Sequence, residues 1–414
     1  MKNHLTSSYA WYIVGMLWVI AMLNYLDRVM LTTMHDSLVA SIPMDNKQFG
    51  ALTSAFLWVY GISSPLGGFL ADKFSRKKII LFSLFVWTLV SLGMGYVHTY
   101  SELLFLRSIM GIGEAFYIPA ALALIVDYHK QSTRSLATGI HMSGLYTGYI
   151  LGGLGGFIAQ YFGWRYGYHF LGIFGVIYII LMAFFLHDFS GTTQKKTHEA
   201  EVPSVEPPQN SIRFLSSFGS LIKNPSFLLL VSYFSLLGVA FWVITGWLPL
   251  FLEEHFKLSV GVAGISATLY IQIASFAGIL IGGTLSDHWI KRSIKGRIYL
   301  PVIGFVLATP ALFVTATTNI FVLAIVGLSI FGVARGFSDS NLMPILCQVI
   351  DDRLRATGYG ILNFLSTICG GTMIYIAGFL KDAHVDLSVV FIIASGCLLL
   401  ASASLYFVKP RTQE

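Results

Sequence analysis

The sequence predicts an all-α polytopic membrane protein of twelve transmembrane helices, arranged as two pseudo-symmetric six-helix bundles. Three observations predict it. Only 11% of the 414 residues are Asp, Glu, Lys or Arg, against 55% hydrophobic residues and a mean hydropathy of +0.73; a soluble domain carries about 25% charge. The apolar residues fall into blocks of about 20, the length that crosses a bilayer as a helix. Charged loop segments recur in the two halves at a nearly constant displacement. This balance excludes a soluble enzyme, a disulfide-stapled secreted scaffold and a disordered chain. The blocks are also too long and too uniformly apolar for the alternating strands of an outer-membrane barrel.

In chain order the spans read as 9–33, 48–71, 79–97, 102–126, 135–160 and 166–187, then 226–252, 260–286, 298–317, 319–350, 355–380 and 387–408. The start, MKNHLTSSYA, is too polar for a cleavable signal and leads directly into the first span. Between the sixth and seventh spans lies TTQKKTHEAEVPSVEPPQNS, polar and punctuated by Pro203, Pro207 and Pro208. It reads as a flexible linker. The expected organisation is therefore one bundle over 1–187, a linker over 188–225 and a second bundle over 226–414.

The net charge of +6 reports topology. Of the 26 basic residues, 19 fall on the side that carries both termini. They are Lys2, Lys73, Arg76, Lys77, Lys78, Lys130, Arg134, Lys195, Lys196, Arg213, Lys223, Lys291, Arg292, Lys295, Arg297, Arg353, Arg355, Lys409 and Arg411. The other side has only Lys47, Arg165, Lys257 and Lys381. By the positive-inside rule both termini are expected to be cytoplasmic, in a multi-pass protein of the cell's inner membrane. No nucleic-acid partner is needed to explain the basic pI. Cys347, Cys369 and Cys397 lie in spans with no metal-ligand spacing, and read as small buried apolar residues.

The second span ends in GGFLADKFSRKK and the eighth in GGTLSDHWIKR, so Gly68 and Asp72 match Gly283 and Asp287 at a shift of 215. RSLATG and RLRATG follow the fourth and tenth spans and match Gly139 to Gly358 at a shift of 219. Near-equal shifts at separate loops indicate a parallel duplication of six helices. The G-x-x-x-D segment followed by Lys73 and Arg76-Lys77-Lys78 resembles the loop signature of the major facilitator superfamily, with Ser75 where that family usually has glycine. The resemblance covers the whole chain. It implies the major facilitator fold, a monomer among membrane lipids, and a loop latch at the cytoplasmic side in which Asp72, Arg76 and Asp287 take part. The alternative for this loop is a pure topology determinant.

Ionisable residues inside spans are costly and usually functional. Span 1 holds Asn24-Tyr25-Leu26-Asp27-Arg28; span 4 holds Arg107 and Glu114, then Tyr117 and Pro119; span 5 holds His141; span 10 holds Arg335 and Asp339, then Pro344. Arg107 and Glu114 are two turns apart on nearly one face, about 10 Å along the axis. Arg335 and Asp339 stand at i,i+4 and can pair. In a low-dielectric cavity, desolvation favours the neutral acid while a neighbouring arginine favours the carboxylate. Asp27 and Glu114 thus read either as proton carriers or as fixed counter-ions of Arg28 and Arg107. An arginine fork matches a carboxylate or phosphate, which makes Arg107 an anion anchor with Arg28 beside it. His141 reads as a core histidine or a relay, and Arg335 as a second anion contact or, with Asp339, a closing pair. Tyr25, Tyr117, Tyr146, Trp242, Trp247 and Tyr270 are aromatics suited to sugar rings and hydroxyls.

NYLDR, RxxxGxxEA and Gly246-Trp247-Leu248-Pro249-Leu250-Phe251-Leu252 together resemble the anion:cation symporter branch of the superfamily. That resemblance implies proton-coupled uptake of a small organic anion such as a sugar acid or hexuronate, with Asp27 and Glu114 as the proton pair, Arg28 and Arg107 meeting the anion, and Asn363 contacting hydroxyls. Spinster-like lipid transporters share the Asn-Tyr-x-Asp-Arg segment and the Arg–Glu spacing, and are the second reading. Val29-Met30-Leu31 and Arg335 depart from the first branch and bear on the substrate. No nucleophile triad, metal spacing or nucleotide loop occurs in an aqueous segment, so neither an enzyme nor a cofactor is expected.

Overall fold

A computed structural model describes residues 2–129, 131–188, 221–350 and 355–410. Among these residues the chain is helical throughout. The helices of the first half are α1 (Lys2–Thr33), α2 (His35–Ser41), α3 (Asn46–Lys73), α4 (Arg76–Met94), α5 (Tyr100–Ala115), α6 (Tyr117–Tyr128), α7 (Gln131–Gly152), α8 (Gly155–Phe162) and α9 (Trp164–Phe185). The second half contains α10 (Pro225–Phe256), α11 (Val260–Trp289), α12 (Gly296–Thr317), α13 (Phe321–Val349), α14 (Arg355–Asp382) and α15 (Leu387–Tyr406). Most of the expected linker lies outside the described residues.

Among the described residues, eleven segments are long and apolar enough to cross a membrane. The remaining crossing, expected over 135–160, is built by α7 and α8, which break at Gly153 and Leu154. Its Ser, Thr, Tyr and Gly content makes α7 too polar to register by hydropathy, because one face lines a cavity rather than lipid. The fourth crossing is also broken. Pro119 has no N–H to give the Ala115 carbonyl, and the helix interrupts at Phe116, two residues after Glu114. Pro344 stands at the equivalent distance from Asp339, yet α13 runs through it.

The two halves meet along α3 with α14 and along α7–α8 with α11. Under the duplication shift α3 corresponds to α11 and α7 to α14, so the two seams are pseudo-symmetric copies of one contact. Both seams are tightest at the end remote from the termini. There a Cβ on Gly50 would sit 2.9 Å from the Ile374 carbonyl oxygen, and one on Gly264 2.7 Å from that of Gly153. His35 packs its ring 4.5 Å from Phe49 and 6.2 Å from Trp247 of the opposite half. Its hydrogen bond to Asp36, at 2.6 Å, holds the Asp36 carboxyl below the usual carboxylate range.

The start of α3 is satisfied from both halves. Asp45 and Gln48 form a capping box. Asp382 of α14 accepts from Asn46 N at 2.9 Å, Asn46 Nδ2 at 2.8 Å and Lys47 N at 2.6 Å, pairing backbone donors that a helix N-terminus leaves orphaned. Asp382→Ala is therefore expected to destabilise this closed end by about 1–3 kcal/mol. With Cys347, Cys369 and Cys397 replaced by serine, a cysteine at Ser54, now buried against Gly371, should react faster with a maleimide in the Asp382→Ala background. An unchanged rate would show that this cap does not hold the seam.

At the terminus-bearing end, Ser75 caps α4 by accepting from Lys78 N at 3.2 Å. Arg76 pairs with Asp127 and donates to the Ala123 carbonyl at 3.0 Å. Arg76 thus ties α4 to α6 within the first half. The side chains of Asp72 and Asp287 lie outside the described residues.

Candidate functional site

Successive helical residues point about 100° apart, so Asp27 and Arg28 on α1 face different neighbours, and their ion pairs to α5 cross. Arg28 Nη2 lies 2.6 Å from Glu114 Oε2, and its Nε donates to the same oxygen at 2.7 Å. Arg107 Nη1 lies 3.6 Å from Asp27 Oδ1. Asp27 Oδ2 accepts from Trp87 Nε1 at 3.0 Å and Ser91 Oγ at 3.3 Å. Both carboxylates are sealed from water, at 0% and 1% exposure. Aromatic faces complete the cage: the Arg28 guanidinium lies 4.5 Å from the Tyr25 ring, 4.8 Å from Phe56 and 4.7 Å from Tyr60. Arg107 lies 4.8 Å from the same Phe56 ring, so one quadrupole serves two cations. Among the described residues, Asp27 Oδ1, Glu114 Oε1 and Arg107 Nε have no hydrogen-bond partner. Each such buried orphan is unfavourable, and the network is saturated only in part.

A cavity of about 450 Å³ opens between the halves toward the end that carries the termini. Its walls come from α1, α7, α10, α11, α13 and α14. Tyr25, Tyr146, Trp242, Arg335, Asp339 and Asn363 all line it. Arg335 Nε lies 3.5 Å from Asp339 Oδ2, and the Tyr146 hydroxyl donates to that oxygen at 3.3 Å from the opposite half. Arg28 and Arg107 are not on this wall. They line a smaller chamber of about 20 Å³, which shares Tyr149 and Trp242 with the main cavity.

Four of the expected site residues lie elsewhere. Tyr117 is fully buried, its hydroxyl donating to the Leu17 carbonyl at 2.5 Å. Its one proton is thereby used, so His141 Nε2, at 3.0 Å, is the donor to the Tyr117 oxygen. Both side chains clamp α1 to α6 and α7 behind the cavity. His141→Gln, which keeps a nitrogen donor, should transport like the wild type, while His141→Phe should lose about 1 kcal/mol of stability. A transport defect in the glutamine variant with unchanged melting would give His141 a further role. Tyr270 is 40% exposed and does not line the cavity, and Trp247 is fully buried at the seam, its Nε1 donating to the Ile374 carbonyl at 3.1 Å.

Other residues on the walls are absent from the expected set. Tyr149 borders the main cavity and both small chambers, its ring 5.1 Å from that of Tyr25. Its position three residues after Tyr146 puts it on the same helical face, a spacing that could have found it. Ser366 and Thr367 follow Asn363 on α14 in the same way. Gln272 lines the second small chamber with no partner for Oε1 among the described residues, and nothing in its sequence surroundings marks it.

The arrangement is an open crevice between two helical halves, with a buried cage of alternating charges behind one wall and an arginine on the other. Comparison with known proteins places it. The chain is 26% identical, over 91% of its length and 87% of the relative's, to a probable galactarate/D-glucarate transporter of Bacillus subtilis (strain 168). It is 25% identical to a probable L-galactonate transporter of Escherichia coli (strain K12), over 96% and 88% of the two chains. A bacterial homologue of the human lysosomal transporter Spinster, solved in an inward-facing and unoccupied conformation, superposes with a TM-score of 0.74 at 19% identity, covering 97% of this chain and 95% of that one. The sequence pattern of the Major Facilitator Superfamily matches residues 17–374, and the chain belongs to that superfamily.

Proposed function

We propose that the protein is a proton-coupled symporter that takes up a small organic anion, such as a sugar acid or hexuronate, by alternating access. As a member of a family of transporters, it is not an enzyme. The observation that carries the reading is the crossed set of two arginines and two carboxylates, sealed from water beside the cavity. Charges held so far from water are retained when they have work to do. Asp27 and Glu114 take protons from the outside; each protonation removes the counter-charge of one arginine. Arg107 and Arg28 then attract the anion through the chamber bounded by Tyr149 and Trp242. The halves rock about the bound site, and anion and protons leave on the other side. With the basic loops at the cytoplasmic face, the open cavity corresponds to the inward-facing state. The named substrates of the two relatives, both sugar acids, support the anion class.

The size of the cavity suits a small acid, since ligand pockets for drug-sized molecules run to about 300–1,000 Å³. The test uses purified protein in liposomes with an imposed inward proton gradient. Labelled hexuronates, aldonates, sialic acid, a neutral hexose and a lysophospholipid are compared with protein-free vesicles. Gradient-driven accumulation of an acidic sugar is the expected result. Movement of lysophospholipid alone would replace the reading with that of a Spinster-like lipid transporter.

A further inference from the structure

We propose that Arg335 is a second anion anchor and that the substrate is a two-ended organic acid. One acidic group meets Arg335 and the other the Arg28 and Arg107 chamber. This rests on the anion reading above and narrows it. A guanidinium that is fully engaged holds a carboxylate through two parallel N–H groups. Arg335 Nε lies 3.5 Å from Asp339 Oδ2, longer than a close charge-assisted hydrogen bond, and its Nη1 is buried with no hydrogen-bond partner among the described residues. The fork is nevertheless held firmly in place. Its carbon lies 3.7 Å from the Phe241 ring centre and 5.8 Å from that of Tyr149, while the side chain borders the open cavity. Asp339 has somewhere to go when displaced: its side chain is 34% exposed and already bonded by Tyr146.

Tyr149 is the hinge of this geometry, because it borders both the Arg335 cavity and the chamber of Arg28 and Arg107. A ligand passing this ring presents one end to each half of the protein. Asn363 and Thr367 offer amide and hydroxyl groups along the wall to a polar middle. A molecule with a single acid leaves one cationic pole with only its resident carboxylate. A diacid fills both, and in doing so bridges the halves that must move together.

The experiment compares uptake of a six-carbon aldarate and the matching aldonate in proteoliposomes, for the wild type, Arg335→Gln and Asp339→Asn. The wild type should prefer the diacid. In Arg335→Gln the ratio of diacid to monoacid uptake should fall roughly tenfold or more, the effect of losing charge-assisted hydrogen bonds. Asp339→Asn should tighten the apparent affinity for the diacid, because the competing carboxylate is gone. The ratio is internal to each preparation, so poor folding of one variant does not mimic the result. Equal handling of both acids by the wild type overturns the proposal, as does a proportional loss of both in Arg335→Gln. If Arg335→Gln does not fold, unchanged or weaker diacid affinity in Asp339→Asn overturns it instead. Uptake of neither acid overturns the anion reading itself and this proposal with it.

Discussion

Glu114→Gln is expected to abolish accumulation driven by a pH gradient while counterflow exchange of the anion continues. Glutamine keeps the size of the side chain and a carbonyl that Arg28 can bond, so the helix contact between α1 and α5 survives. It cannot change charge. Arg28, held at 2.6 Å and 2.7 Å by the carboxylate, would face a permanently neutral partner. If loading and unloading of a proton at this carboxyl links the anion to the gradient, the linkage ends and only exchange remains. The effect should be large. Each pH unit is worth about 1.4 kcal/mol per coupled proton, so two units can drive about a hundredfold accumulation for each proton coupled, at zero membrane potential. The variant should reach only equilibration. Measuring both modes in the same vesicles separates this from loss of folded protein, which would remove exchange as well. Wild-type gradient dependence in Glu114→Gln would sink the assignment.

Much of this architecture is legible in the sequence because bilayer thickness sets helix length. The duplicated segments at Asp72 and Asp287 exposed the pseudo-symmetry, which reappears as two equivalent seams. Less legible was which side of each helix faces what. Asp27 and Glu114 could be recognised as in-span carboxylates, but the crossed partnership depends on the relative rotation of α1 and α5, which no single-helix spacing contains. The break at Phe116 follows from Pro119, yet Pro344 leaves α13 continuous, so proline alone does not decide. Tyr117 reads in the sequence as an aromatic for a sugar ring and His141 as a core histidine or a relay; the packing turns them toward Leu17 and each other. Tyr270 shows the opposite limit, an aromatic that composition cannot distinguish from a cavity residue. Tyr149 was within reach from its spacing to Tyr146, whereas Gln272 needed the packing of α11.

Arg107 presents the sharpest choice between a structural and a functional charge, and two substitutions resolve it. Arg107→Ala should abolish uptake of carboxylate substrates, but that loss alone has two explanations. Removing the arginine leaves Asp27, at 0% exposure, without its cationic partner, and stranding one member of a buried pair typically destabilises by about 3–5 kcal/mol. The double variant Asp27→Asn/Arg107→Gln removes both charges and keeps both shapes. Trp87 and Ser91, now bonded to Asp27 Oδ2, can donate to the asparagine carbonyl, so thermal stability should return close to the wild-type value. Transport should not return if Arg107 meets the anion, because no other residue restores a fixed positive charge at that point of the chamber. A double variant that regains both stability and anion affinity would make Arg107 the counter-ion of Asp27 and pass the anchoring role to Arg28 and Arg335. Equilibrium binding of a labelled sugar acid to the detergent-purified double variant distinguishes the two outcomes, since affinity, unlike accumulation, does not require the proton site that Asp27→Asn removes.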